Sequence, residues 1–230
     1  MSKTKTKTRT PSEKSLRRAI LDAARTMSAR GLSPGRSGNI SVRFDDGMLI
    51  TPTALAYDVM RPSDIVFVTS DGAWESDGPA PSSEWRFHRA AYACRPDQNA
   101  VVHTHSLNAT ALACANKAIP AFHYMVAVAG GNDIPCVPYA TFGTDDLARH
   151  VAAGLAHRDA CLMANHGQIA VGETLARALE LAFDVETLAA QYVKVLQIGA
   201  AHTLSDGEMR DMVEKFESYG KAAASAKAKP

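Results

Sequence analysis

No stretch of this 230-residue chain is apolar for long enough to cross a bilayer, and residues 2–12 contain no apolar residue from which a secretory leader could be built. A cytoplasmic location without a membrane partner is therefore expected. Cysteine is sparse. Cys94, Cys114, Cys136 and Cys161 show no CxxC spacing, which argues against a zinc knuckle or a disulfide framework and leaves each as a small buried hydrophobe. An excess of either charge is also missing: 25 Lys and Arg face 24 Asp and Glu, so there is no general electrostatic case for a nucleic-acid partner. What is present is ordinary for a soluble globular protein, with 46% hydrophobic and 21% charged residues in a chain long enough for one sizeable core.

Three segments follow from composition. Residues 1–12 alternate Lys or Arg with Thr and form an expected disordered basic arm, residues 13–220 form the folded domain, and the low-complexity end at 221–230 reads as a frayed, disordered tail. Within the domain, Leu16, Ile20, Leu21, Ala24 and Met27 keep helical spacing from Glu13 to Arg30, and Gly31 ends the run. A strand from Ile40 turns at Asp46-Gly47 into Met48-Leu49-Ile50, and a second hairpin is expected from Ile65–Thr69 through Ser70-Asp71-Gly72. Short helices are expected from Leu107 and behind the Thr144 cap, a strand over Ile134–Val137, and a long helix over Thr174–Ile198 with Leu175, Leu179, Phe183, Leu188 and Val195 as core candidates. Helices over a mixed sheet are the result.

The chemistry gathers between Pro81 and His105. Ser82 and Ser83 read as caps of an amphipathic helix, which places Glu84 in its first turn beside free backbone N–H groups. The β-branched run Ala100-Val101-Val102 leads into His103-Thr104-His105, and strand alternation points both imidazoles the same way. Such a pair is either two solvated histidines or two ligands of a zinc site that still needs others. His166, in the Asn165-His166-Gly167 turn after the buried strand Ala160–Ala164, supplies a third imidazole. Together with Glu84 these match the ligand count of a catalytic zinc site.

The motifs SGNISVR (37–43), ITPT (50–53), PSSEWRFH (81–88), AVVHTH (100–105), IPAFHYM (119–125), PYATFGT (138–144), NHG (165–167) and EKFESYG (214–220) together resemble the class II aldolase/adducin family. Within it, the likeness is strongest to the zinc-dependent enzymes of L-fuculose 1-phosphate. The resemblance implies a three-layer α/β/α fold with a mixed, mostly antiparallel central sheet, and a homotetramer with shared active sites. It implies one Zn2+ per subunit on His103, His105 and His166, with Glu84 a ligand in the free enzyme and an acid/base once substrate arrives. Tyr124, delivered from a neighbouring subunit, would exchange the proton of the aldehyde oxygen. Gly38, Asn39, Thr53, Ala54, Ser82 and Ser83 would bind the substrate phosphate, and Phe216 and Tyr219 would lie over the site. The implied reaction cleaves L-fuculose 1-phosphate, or a similar ketose 1-phosphate, to dihydroxyacetone phosphate and a short aldehyde. Two alternatives stay open, an L-ribulose-5-phosphate 4-epimerase-like enzyme and a non-enzymatic module like the adducin head. Ala54 stands where the family carries glycine, which puts phosphate recognition in question if that backbone needs positive φ.

Overall fold

Strands that are apolar on both faces must be covered on both faces, and the sheet in this computed structural model is covered in that way. Residues 11–33 and 36–227 are described, so the basic arm lies outside the described residues up to position 10, while Ser12 caps the first helix. Seven strands, β1 (Asn39–Phe44), β2 (Gly47–Ile50), β3 (Val66–Thr69), β4 (Ala100–Thr104), β5 (Cys136–Val137), β6 (Ala160–Met163) and β7 (Gly167–Gly172), form one sheet in the order β3-β2-β1-β4-β7-β6-β5. Every neighbouring pair is antiparallel except β5 with β6. The helices are α1 (Glu13–Ala29), α2 (Trp85–Cys94), α3 (Leu107–Cys114), α4 (Asp145–Leu155), α5 (Leu175–Ile198) and α6 (Asp206–Lys227).

Alternation along the strands feeds two separate cores. Ile40, Ala100, Val102, Leu162 and Ala170 pack with residues of α1, α3 and α5, whereas Val101, Cys161, Met163, Ile169 and Val171 pack with α2 and α4. Helix, sheet and helix thus make three layers, as the motif resemblance implies. Among the described residues no helix is long and apolar enough to span a membrane.

Several local expectations need correction. The hairpin loop between β1 and β2 is Asp45-Asp46, since Phe44 pairs with Gly47, and it is Asp45 that takes positive φ, at 49°. Gly47 is needed for another reason: a Cβ there would sit 2.1 Å from the Val68 carbonyl oxygen of β3. After β3 the chain turns at Gly72, but no strand follows. Trp74 instead lays its ring edge-on against Trp85 of α2, 6.1 Å between centroids. The strand expected over Ile134–Val137 shortens to Cys136–Val137, with Ile134 held only by an isolated bridge to Ile119. The backbone of α6 continues to Lys227, where a frayed tail is expected from composition.

Two of these helices bear directly on the site. The buried face of α5 is Ala178, Leu181, Ala182, Val185, Leu188 and Ala189, so of the five core candidates only Leu188 belongs to it, and three alanines share the face with it rather than Leu175, Leu179 and Phe183. Those three are only partly buried, and Val195 is half-exposed near the helix end. The approach to β7 is tight, because a Cβ on Gly172 would meet the Ala178 nitrogen at 2.5 Å. α5 also caps α3. Its Glu186 carboxylate accepts from the backbone N–H groups of Asn108 and Ala109, each at 2.9 Å, and from the Asn108 amide at 2.7 Å. An anion on the first N–H groups of a helix satisfies otherwise orphaned donors. Because α3 starts two residues after His105, this contact anchors the chain that leaves β4. Replacing Glu186 with Ala should therefore lower stability by about 2 kcal/mol, the scale of charge-assisted hydrogen bonds, measurable as a fall in the urea midpoint. An unchanged midpoint would show that α3 does not depend on this cap.

Candidate functional site

The sheet position of His103 decides the geometry. On β4, His103 follows Val101 onto the face covered by α2, and His105 continues the same alternation just past the strand end. His103 is fully buried, and its Nδ1–H donates to the Gln168 carbonyl at 2.7 Å, which turns Nε2 toward the cluster. His105 Nε2 approaches that atom at 3.0 Å. His166 comes from the turn joining β6 to β7. Asn165 supplies the positive φ of that turn, at 55°, while Gly167 makes room: a Cβ there would lie 2.4 Å from the Thr104 carbonyl and 3.0 Å from the His105 ring.

Glu84 closes the cluster from the other layer. It is the N-cap residue of α2, one position before the first turn in which it is expected from sequence, and Ser82 Oγ accepts from its backbone N–H at 3.3 Å. Its carboxylate lies 2.9 Å from His166 Nε2 and 3.2 Å from His103 Nε2. One ligand atom from each of Glu84, His103, His105 and His166 falls within 4.8 Å of all the others. Tetrahedral bonds of about 2.1 Å set neighbouring ligands about 3.4 Å apart, so the four converge on the right scale for a single ion. Burial opposes the charge on Glu84, but the adjacent His103 and His166 imidazoles outweigh it and hold the carboxyl well below its usual range. Burial, reinforced by His103 and His166, pushes His105 down to about 3, so it is a neutral lone-pair donor at ordinary pH. Three imidazoles and one carboxylate therefore fit a divalent metal ion.

A cavity of about 330 Å³ opens in front of the cluster. Glu84, His105 and His166 line it, together with all six residues expected to bind phosphate: Gly38, Asn39, Thr53, Ala54, Ser82 and Ser83. A backbone clasp brings the last of these together. Pro52 bridges Pro81, with Thr53 N–H donating to the Ala80 carbonyl and Ser82 N–H to the Thr51 carbonyl, each at 3.0 Å. Arg36, Tyr139 and Phe142 also line the cavity and escape the sequence reading. Tyr124 and Phe216 do not line it. They stack on one another with centroids 6.4 Å apart and planes 1° from parallel, and Tyr124 is 49% exposed. The Tyr219 side chain lies outside the described residues.

Behind Glu84 runs a buried polar chain that the sequence reading also missed. Asn39 Nδ2 donates to Glu84 Oε2 at 2.8 Å, Asn39 Oδ1 meets His88 Nε2 at 2.5 Å, His88 Nδ1 meets Ser41 Oγ at 2.7 Å, and Ser41 Oγ meets the Tyr92 hydroxyl at 2.8 Å. Periodicity was the available signal. Glu84, His88 and Tyr92 recur every four residues along α2, and Asn39 and Ser41 alternate onto one face of β1, so helix stripe and strand face meet. Burial first, then the charge of His103, presses His88 down to about 3.

The family described as class II aldolase and adducin N-terminal domain matches residues 18–193. A 5-methylthioribulose-1-phosphate/5-deoxyribulose-1-phosphate aldolase of Rhodospirillum rubrum is 54% identical over 206 residues, 89% of this chain and 92% of the relative. The L-fuculose phosphate aldolase of Escherichia coli strain K12 is 52% identical over 206 residues, covering 89% of this chain and 95% of that protein. A solved L-fuculose 1-phosphate aldolase superposes with a TM-score of 0.84 at 36% identity, covering 88% of this chain and 96% of its own.

Ala54 adopts φ 56° at the rim of the cavity, the left-handed region that costs an L-residue with a Cβ about 1–2 kcal/mol. Ala54→Gly should accordingly raise stability by about 1 kcal/mol after glycine's greater unfolded-state freedom is deducted. Equilibrium denaturation checks this, and a loss of stability would mean that the loop carries no backbone strain at this position.

Proposed function

Because the chain belongs to the family of class II aldolases and adducin N-terminal domains, we propose that this aldolase uses zinc to cleave a ketose 1-phosphate into dihydroxyacetone phosphate and a short aldehyde. The convergence of Glu84 with His103, His105 and His166, three of them lining a cavity that Thr53, Ser82, Ser83 and Arg36 also line, supports this reading. His and carboxylate donors suit zinc among the divalent ions. When bound, the ion supplies a Lewis acid for the negative charge that develops beside the substrate carbonyl.

The chain's own residues supply position and protons. Neutral hydroxyls at the start of α2 and the Arg36 guanidinium orient the phosphate, so that the reacting carbon faces Glu84. Glu84 carries a proton to and from that carbon once it turns away from the imidazoles, when burial, which raises a carboxyl, is no longer outweighed by them. Tyr124 carries the second proton, to and from the aldehyde oxygen, in the site of a neighbouring copy. Its exposure and its absence from the cavity of its own chain support that placement. The Tyr124–Phe216 stack is an apolar surface, suited to the far end of the aldehyde. The named substrates of the relatives share such an end, a methyl in L-fuculose and 5-deoxyribulose and a methylthio group in 5-methylthioribulose, so all three ketose 1-phosphates are candidates.

Three experiments test the reading. Purified protein should carry about one zinc-type ion per subunit; a strong chelator should abolish cleavage, zinc should restore it, and His105→Ala should bind less metal. Assayed against the three ketose 1-phosphates and L-ribulose 5-phosphate, it should release dihydroxyacetone phosphate from at least one of the former. Epimerisation of L-ribulose 5-phosphate with no cleavage of any ketose 1-phosphate would overturn the proposal. For the shared site, Glu84→Gln and Tyr124→Phe subunits reassembled at random should regain activity well above either parent, because about a quarter of the sites unite an intact Glu84 with a neighbour's intact Tyr124 in a cyclic assembly. Hybrids shown by mass spectrometry to have formed, yet no more active than the parents, would exclude it.

A further inference from the structure

The buried chain behind Glu84 has a direction that its geometry dictates. At its front, Asn39 meets a carboxylate, and only an amide N–H can face an anion at 2.8 Å; the flipped amide would set two acceptor oxygens against each other. The amide oxygen must then face His88, which obliges His88 Nε2 to carry the proton and donate across the 2.5 Å contact. A neutral imidazole with its proton on Nε2 has a bare Nδ1, so Ser41 O–H donates to it at 2.7 Å, and the Tyr92 hydroxyl in turn donates to Ser41 at 2.8 Å. Ser41 and His88 are fully buried, and Asn39, Tyr92 and Glu84 are at most 7% exposed, so behind the cavity these groups have one another as partners. Four side chains therefore hand hydrogen bonds one way, toward Glu84.

We propose that Tyr92, Ser41 and His88 form a one-way relay that locks the Asn39 amide and through it aims the Glu84 carboxylate, making His88 a positioning residue for the reaction. The claim rests on the reading of Glu84 as the proton carrier. A carboxylate that must leave the imidazoles and still face one substrate carbon needs a partner that does not move with it. Asn39, on a central strand and fixed from behind, is such a partner: its N–H keeps one carboxylate oxygen on the sheet side while the other turns. His88 does not line the cavity, and its hydrogen bonds reach Glu84 only through Asn39.

The test has one arm that needs no variant. Long-range proton–nitrogen spectra of the native zinc-loaded and zinc-stripped protein should show His88 as the neutral Nε2–H tautomer in both, whereas an Nδ1–H or doubly protonated ring overturns the relay. In kinetics, His88→Leu should lower kcat roughly tenfold or more, the scale of a hydrogen bond to a charged group. His88→Gln, whose amide can still donate to Asn39, should recover much of that loss. The double variant Asn39→Ala/His88→Leu should be no slower than the slower single variant, since the two act in series; losses that multiply would give His88 an independent role and overturn the proposal. Ser41→Ala and Tyr92→Phe, smaller changes that spare packing, should fall in the same direction as His88→Leu. Glu84→Gln is the reference. If it retains full activity, the role assigned to Glu84 fails whatever the spectra show; if it is inactive while His88→Leu is fully active, only the relay fails.

Discussion

A carboxylate taken out of water must find partners that make up for lost hydration, and in this protein the whole active face is arranged around one such carboxylate. Glu84 is buried between two imidazoles in front and an amide behind. An isolated buried anion would neutralise by taking up a proton, and only this ring of partners keeps it charged. Each partner in turn needs its own support. Gln168 fixes the ring of His103, Gly167 admits the imidazoles, and His88 with Ser41 and Tyr92 orients the amide. Removing the charge would leave these groups with no common object.

This dependence explains the shape of the sheet as much as the site. His103 must sit on a strand covered on both faces to be fully buried, and β4 lies at the centre of the seven. The covering layers cannot be uniform. On the side of α5, alanines allow close approach to β7; on the side of α2, polar groups at every fourth position run beside the apolar residues Trp85, Phe87 and Ala91 that pack on the sheet. The second layer is thus partly a core and partly the rear wall of a reaction site.

The three histidines of the candidate metal cluster were legible in the sequence because each sits on a strong local signal. His103 and His105 are two apart on a β-branched run, and His166 ends a buried strand beside Asn and Gly. Element types were legible for the same reason, whereas short edge features were not. The segment after Gly72 carries turn chemistry, yet it pairs with no strand, and Trp74 sets its ring edge-on against Trp85 instead. The polar relay was missed because it is written in two different periods, four along α2 and two along β1, and neither stripe looks unusual until the elements are packed. Gly47 and Gly167 illustrate a related blindness. Both read as turn residues, but each is small to admit a neighbouring backbone, which is a fact of tertiary structure alone.

The division of ligands between layers has a kinetic meaning. Three of the four, His103, His105 and His166, belong to the β4–β6–β7 sheet and the turns that leave it, clamped by α5 against Gly172, and such central segments open only with global unfolding. Glu84 belongs to a single turn at the head of a ten-residue helix, which can shift by local fluctuation while the sheet stays shut. The three imidazoles thus sit on the best-protected backbone and the carboxylate on a helix end, so an opening of this cluster that spares the sheet would begin at Glu84.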